Sequence, residues 1–233
     1  MSVVAAASVG CGFPCAAGGA AAMNGVAWLV LACALAVVVL VWAEFRAAQP
    51  MRVVAKLAAS SAFVAIAWRL DATASNHGRW LLLAFVLSWI GDALLLSARS
   101  RVFLAGLFTF LAAHVAFAAA FLSLPLAVPA LWGALGVMGA SGLVLLRWLW
   151  PDLRAFYRSA VTAYVSALVA MAAPAIAATA AGGDWRYAAG ALAFAASDVA
   201  VARNRFVAPG PANKAWGLPL YYAAQLAFAL SLG

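Results

Sequence analysis

Residues 80–97 read WLLLAFVLSWIGDALLLS, a run of apolar side chains with a single charge, Asp92, set inside it. Its length suits a helix crossing the roughly 30 Å hydrocarbon core of a bilayer. The rest of the chain agrees. Of 233 residues, 69% are hydrophobic and 9% are charged, and the mean hydropathy is +1.06, far beyond the roughly 45–50% apolar usage of a soluble domain. Eight apolar stretches approach the necessary length: 24–44, 53–70, 80–97, 102–122, 126–147, 156–180, 185–204 and 214–232. They predict an all-α polytopic transmembrane bundle of eight helices. It forms a single domain over 24–233, and residues 1–23 read as a disordered tail. The second stretch is short and the sixth is interrupted by Pro174. Met23, directly before Asn24 and the first strong stretch, is a candidate natural start.

A net charge of +8 would suggest nucleic acid in a soluble protein, but here its placement carries a different message. The connections after stretches one, three, five and seven hold Arg46, Arg52, Arg99, Arg101, Arg147, Arg154, Arg158, Arg203, Arg205 and Lys214. The opposite connections hold only Arg69, Arg79 and Arg186. Basic loops stay in the cytoplasm, so the asymmetry places the first set inside and both chain ends outside the plasma (inner) membrane. No nucleic-acid partner is needed to explain the charge. Trp28, Trp42, Trp68, Trp80, Trp148, Trp150, Trp185 and Trp216 fall at or near predicted ends, where amphipathic rings prefer the interface; Trp89 does not. Cys11, Cys15 and Cys33 show neither metal-ligand spacing nor a disulfide framework.

The third and seventh stretches share a pattern, because Asp92 is followed seven residues later by Arg99 and Asp198 seven residues later by Arg205. If the chain divides as four plus four, the halves are parallel, related by an axis along the membrane normal, and both aspartates lie at one depth. Small residues in GALGVMGASG (133–142) and YAAGALAFAAS (187–197) allow close helix packing.

An intramembrane carboxylate costs at least about 2.5–3.5 kcal/mol on insertion scales, so the aspartates are functional candidates and need partners. Ser88 shares a helix face with Asp92, one turn away. Ser197 adjoins Asp198, and other helices bring His114, Tyr164, Tyr221, Tyr222 and Gln225 toward them. Glu44 and Lys56 lie close enough to helix ends to snorkel to water. Arg99 and Arg205 read as orientation charges. There is no GxSxG elbow, no HExxH, no phosphate loop and no histidine cluster. What remains is a carboxylate pair in a dry bundle, with no cofactor and no metal required.

The segments SWIGDALLL (88–96), GLFTFLAAHVAF (106–117), ASDVAVARNRF (196–206) and LYYAAQLAF (220–228) resemble the YhhN family of eight-span membrane proteins, which includes the lysoplasmalogenases. The resemblance implies hydrolysis of the vinyl ether bond of a lysophospholipid substrate, with Asp92 and Asp198 as the family's paired acids. It further implies that His114, Tyr222 and Gln225 are site residues. Lys56, in AKLAAS (55–60), matches an early lysine usually followed by proline, where this chain has Leu57.

The implied chemistry needs one acid and one carboxylate. Vinyl ethers hydrolyse through protonation of the β-carbon, and the resulting oxocarbenium ion is attacked by water; a glycosidase handles a similar cation with two carboxyl groups. On this reading Asp92 and Asp198 are catalytic and share one proton. Asp92, beside Trp89 and a leucine run, serves as proton donor and Asp198 as the base for water. Lys56, Ser88, Ser197, Tyr164, His114, Tyr222 and Gln225 contact the substrate, and the basic loops attract its phosphate from the surrounding membrane lipids. Paired acids and a repeat would also suit a proton-coupled transporter or a lipid-binding protein without chemistry.

The charge asymmetry has a direct test. A C-terminal alkaline phosphatase fusion is expected to be active and a C-terminal fluorescent-protein fusion dark; the reverse pattern would remove a span or invert the orientation.

Overall fold

The computed structural model describes residues 16–97 and 99–233. Cys11, Cys15 and the rest of the expected tail up to residue 15 lie outside the described residues. Among the described residues there is no strand, and eight α-helices follow one another: α1 Ala16–Phe45, α2 Gln49–Arg69, α3 Asn76–Leu94, α4 Ser100–Leu122, α5 Val128–Leu149, α6 Ala155–Ala180, α7 Trp185–Ala202 and α8 Pro211–Leu230. Each expected span corresponds to one helix. α1 starts at Ala16, ahead of the strong stretch at 24. A π-helical turn, Arg203–Val207, continues α7 toward α8.

Local sequence explains the helix starts. Pro50, Pro129 and Pro211 occupy the first turns of α2, α5 and α8, where a missing N–H costs nothing. The Ser75 hydroxyl accepts the Gly78 N–H at 2.9 Å to cap α3, and the Asp184 carboxylate accepts the Arg186 N–H at 2.8 Å to cap α7. Pro174 leaves α6 continuous, as proline often does in membrane helices whose neighbours stabilise the freed carbonyl.

This is a multi-pass membrane protein. Five segments, Asn24–Phe45, Gln49–Arg69, Arg101–Leu122, Val128–Asp152 and Tyr157–Ala180, are each long and apolar enough to cross a membrane. The remaining helices, α3, α7 and α8, carry Asp92, Asp198 and the Tyr221–Tyr222–Gln225 group. Their polarity is accommodated because it points inward: Asp92, Ser197 and Gln225 are buried.

Packing follows the four-plus-four division. α1 pairs with α2, α3 with α4, α5 with α6 and α7 with α8; between halves, α4 packs on α6 as α8 packs on α2. Away from the arginine-rich end the interior is filled by Phe63, Phe85, Phe117, Phe121, Phe194 and Phe228, all fully buried. Their rings are in mutual contact, with Phe117 and Phe228 centroids 5.0 Å apart and Phe85 and Phe117 5.6 Å apart. Leu143, Val144, Val137 and Trp28 face outward, as expected for surfaces in lipid.

Gly190 on α7 is where this packing is tightest. A Cβ there would lie 2.5 Å from Cε1 of Phe228, whose ring is locked in the core, whereas Gly136 on α5 faces open space. Alanine normally stabilises a helix by up to about 1 kcal/mol relative to glycine. Gly190→Ala is nevertheless expected to destabilise the protein by about 1–3 kcal/mol through overpacking, and Gly136→Ala to be neutral or better. Thermal unfolding in detergent would compare them; equal midpoints would contradict the packing.

Candidate functional site

A cavity of about 320 Å³ opens at the arginine-rich end of the bundle and reaches both aspartates. Its deep wall holds Lys56, Asp92, Tyr164, Asp198 and Tyr221. An apolar branch runs between Leu107, Leu145, Leu149, Val161, Val165 and Leu168.

Asp92 is surrounded by donors. Its Oδ1 faces the Lys56 ammonium at 3.1 Å, and its Oδ2 accepts from the Ser60 hydroxyl at 2.6 Å and from the Tyr221 hydroxyl at 2.8 Å. All three groups donate and one is a cation, so both carboxyl oxygens of Asp92 meet donors. Tyr222 stands behind, its one hydroxyl hydrogen within reach of either the Ser60 oxygen at 3.0 Å or the Lys56 carbonyl at 3.2 Å.

Asp198 sits differently. Its Oδ1 accepts from the Tyr164 hydroxyl at 3.2 Å, and its Oδ2 lies 3.3 Å from Nε2 of the fully buried His114. The other ring nitrogen, Nδ1, is 2.8 Å from the Phe110 carbonyl. A carbonyl only accepts, so Nδ1 carries a hydrogen, and in a neutral ring Nε2 would be an acceptor. Nε2 of His114 and Oδ2 of Asp198 are both buried and neither has a hydrogen-bond partner in this arrangement.

The two halves build these settings alike. Asp92, on α3, is contacted from α2 of its own half and from α8 of the other; Asp198, on α7, is contacted from α6 of its own half and from α4 of the other. What differs is the partner, a lysine for Asp92 and a histidine for Asp198.

At the mouth, Glu44 is ion-paired with Arg52 at 3.0 Å and accepts from Lys214 at 2.7 Å, while Arg205 lies 4.1 Å over the Phe103 ring. Arg203 hydrogen-bonds Asn213. Arg205 is thus more than an orientation charge, since it lines the cavity with Glu44, Arg52 and Lys214.

The residues anticipated from sequence divide into three groups. Asp92, Asp198, Lys56, Tyr164 and Ser197 line the cavity, although the Ser197 hydroxyl donates to the Phe194 carbonyl of its own helix at 2.8 Å. His114 and Tyr222 support the lining from behind. Ser88 and Gln225 are buried without a hydrogen-bond partner and stand outside the cavity lining. Neither Lys56 nor Glu44 snorkels freely to water: each turns to an ion pair, because a partly buried opposite charge is a better partner than a distant interface. Trp89 does not dry Asp92. It is 36% exposed and donates to the Ser61 hydroxyl at 3.1 Å.

Two contributors were not anticipated as site residues. Ser60 lies one helical turn after Lys56, a spacing that could have flagged it. Tyr221, rather than its neighbour Tyr222, touches Asp92 directly, and adjacent tyrosines in sequence give no means of choosing between them.

Comparison with known proteins adds a relationship to this geometry. A family model described as the YhhN family matches residues 51–232. The chain is 34% identical over 157 residues to lysoplasmalogenase TMEM86A of Homo sapiens, a match covering 65% of this chain and 64% of the relative. The protein of the same name from Bos taurus matches with the same identity and coverage. The matched region thus spans 64% of the length of these relatives. No solved structure matches the chain.

The Lys56–Asp92 pair predicts a coupled response to substitution. Lys56→Met leaves Asp92 without its cation and is expected to destabilise the protein by up to about 3 kcal/mol, whereas Lys56→Met with Asp92→Asn recovers much of the loss. Unfolding midpoints of the two single variants and the double variant would reveal the coupling; additive losses would mean the pair contributes no joint stability.

Proposed function

The chain belongs to the YhhN family, and from that premise we propose that it is a membrane hydrolase cleaving the vinyl ether bond of a lysoplasmalogen to a fatty aldehyde and a glycerophospho-head group. The observation that carries the reading is one cavity presenting two carboxyl groups in unlike settings, Asp198 at 3.3 Å from the buried His114 ring and Asp92 met by a lysine and two hydroxyls.

Both the reaction and the substrate fit this cavity. The substrate's hydrocarbon chain suits the branch lined by Leu107, Leu145, Leu149, Val161, Val165 and Leu168, and its phosphate suits the basic mouth. In the first step the His114–Asp198 proton passes from Asp198 to the β-carbon of the vinyl ether, whose π electrons form the new C–H bond. The α-carbon becomes an oxocarbenium ion, stabilised by the negative charge of Asp92. Water then adds to that carbon and returns a proton to the His114–Asp198 pair, giving a hemiacetal. The pair gives that proton to the glycerol oxygen as the C–O bond breaks and takes up the proton of the hemiacetal hydroxyl, so that aldehyde and alcohol separate and the pair is restored. Asp198 thus works as acid and then as base, as one carboxyl group of a retaining glycosidase does. These roles reverse the expectation from sequence. Asp92, surrounded by donors, is the poorer proton source, while Asp198 lies beside a histidine able to relay a proton and lines the cavity.

The orientation follows from the charge distribution: the mouth faces the cytoplasm of the plasma (inner) membrane, so that lysolipid enters from the inner leaflet.

Purified protein in detergent, with a chelator present, is expected to release aldehyde from a lysoplasmalogen and to leave ester lysolipids intact. In D₂O the aldehyde carries one deuterium on its α-carbon, and turnover slows by a primary solvent isotope effect if carbon protonation limits the rate. Aldehyde without α-deuterium would rule out the proton-transfer mechanism, and absence of any product would favour a transporter or lipid-binding role.

The division of labour predicts a contrast between variants. Asp198→Asn and His114→Phe are each expected to reduce kcat by about 100-fold or more, and the double variant should be little worse than either, because they act as one proton-holding unit. Tyr222→Phe, one layer away, should lose much less. Multiplicative losses in the double variant would argue against a shared proton.

A further inference from the structure

The mouth of the cavity is not simply basic. Glu44, at the end of α1, has a side chain only 10% exposed and holds Arg52 on one oxygen and Lys214 on the other. These three residues also border a second recess of about 290 Å³, whose remaining lining is Ala47, Asn204, Pro209, Gly210 and Pro211. They stand at the junction of the two spaces, with Glu44 the one acidic residue among the described residues lining the recess.

For a bare phosphate this arrangement is unfavourable, because Glu44 offsets one of the two cations that would attract it. For a head group carrying a phosphate and, two carbons away, a cation, the arrangement is complementary: the guanidinium and ammonium face the phosphate and the carboxylate faces the positive end. The kind of cation matters as well. A primary ammonium offers three N–H donors, which a carboxylate accepts through charge-assisted hydrogen bonds. A quaternary ammonium offers none and is normally recognised by aromatic faces, and the lining of the recess contains no aromatic residue among the described residues.

We propose that Glu44 is a specificity-determining residue that selects lysolipids with a primary ammonium head group, phosphoethanolamine, over those with phosphocholine. The proposal rests on the reading of the cavity as a lysophospholipid site. The phosphate lies against Arg52 and Lys214, and the ammonium turns into the recess to share Glu44.

The test uses lipids that bind without reacting. Saturated alkyl-ether lysolipids have no vinyl bond, so their binding to purified protein in detergent, followed by tryptophan fluorescence, is independent of catalysis. With chains matched, the ethanolamine lipid is expected to bind about fivefold or more tightly than the choline lipid. On the wild-type protein, stepwise N-methylation of the head group should weaken binding progressively, with a clear loss at the last step, where the final N–H disappears. Glu44→Gln, checked for folding by size exclusion and unfolding midpoint, should bring the ethanolamine-to-choline ratio close to one and improve binding of a phosphoglycerol lipid; Glu44→Asp should retain the preference. Equal wild-type binding across the methylation series, or an unchanged ratio in folded Glu44→Gln, would overturn the role of Glu44 while leaving the lysolipid reading intact. Failure of every head group to bind would remove both.

Discussion

A carboxylate inside a lipid-embedded bundle is tolerable only when other groups surround it, and Asp92 draws its surroundings from two helices besides its own. Lys56 and Ser60 reach it from α2 and Tyr221 from α8. In a medium where an unpaired ion is costly, this contact limits how those three helices can slide or rotate against one another. It also explains the inward turn of Lys56, which is near enough to the end of α2 to reach water. The fully buried phenylalanines fill the bundle beyond the aspartates, and the charged lining of the cavity lies toward its arginine-rich end.

The two halves present their aspartates through the same pattern of helices, and what separates the two carboxyl groups chemically is the neighbour each receives. A lysine and two hydroxyls meet Asp92, while Asp198 faces a tyrosine hydroxyl and a histidine whose other nitrogen is committed to a backbone carbonyl. Related scaffolds thus yield unlike environments for two carboxyl groups from a few side chains, with no change in the backbone arrangement. Under the proposed reaction, that difference is what would separate an acid from a charge-stabilising partner.

The cavity also grades from charge to hydrocarbon along its length. Glu44, Arg52, Lys214 and Arg205 frame the entrance, the ion pairs occupy the depth, and aliphatic side chains of α4, α5 and α6 line a branch. An amphiphile matches that gradient better than a small polar solute does, since each part of it meets an environment of its own polarity. The cation of Arg205 over the Phe103 ring lies where the two kinds of surface meet.

By itself the sequence determined the class of fold and singled out the two aspartates that line the cavity. Eight apolar stretches and a one-sided arginine distribution are local properties of the chain, and an aspartate within such a stretch is conspicuous wherever its helix packs. The correspondence of Asp92–Arg99 with Asp198–Arg205 likewise gave the four-plus-four division that the helix contacts follow. Partner choice was not legible, because it depends on helix rotation: Tyr221 and Tyr222 differ by about 100° around α8, and only packing decides which one reaches Asp92. Ser60, the inward turn of Lys56 and Glu44, the outward face of Trp89 and the approach of His114 to Asp198 belong to the same category. Each is set by contacts between residues far apart in the chain, so the partners of each aspartate could be read only once tertiary structure had brought those residues together.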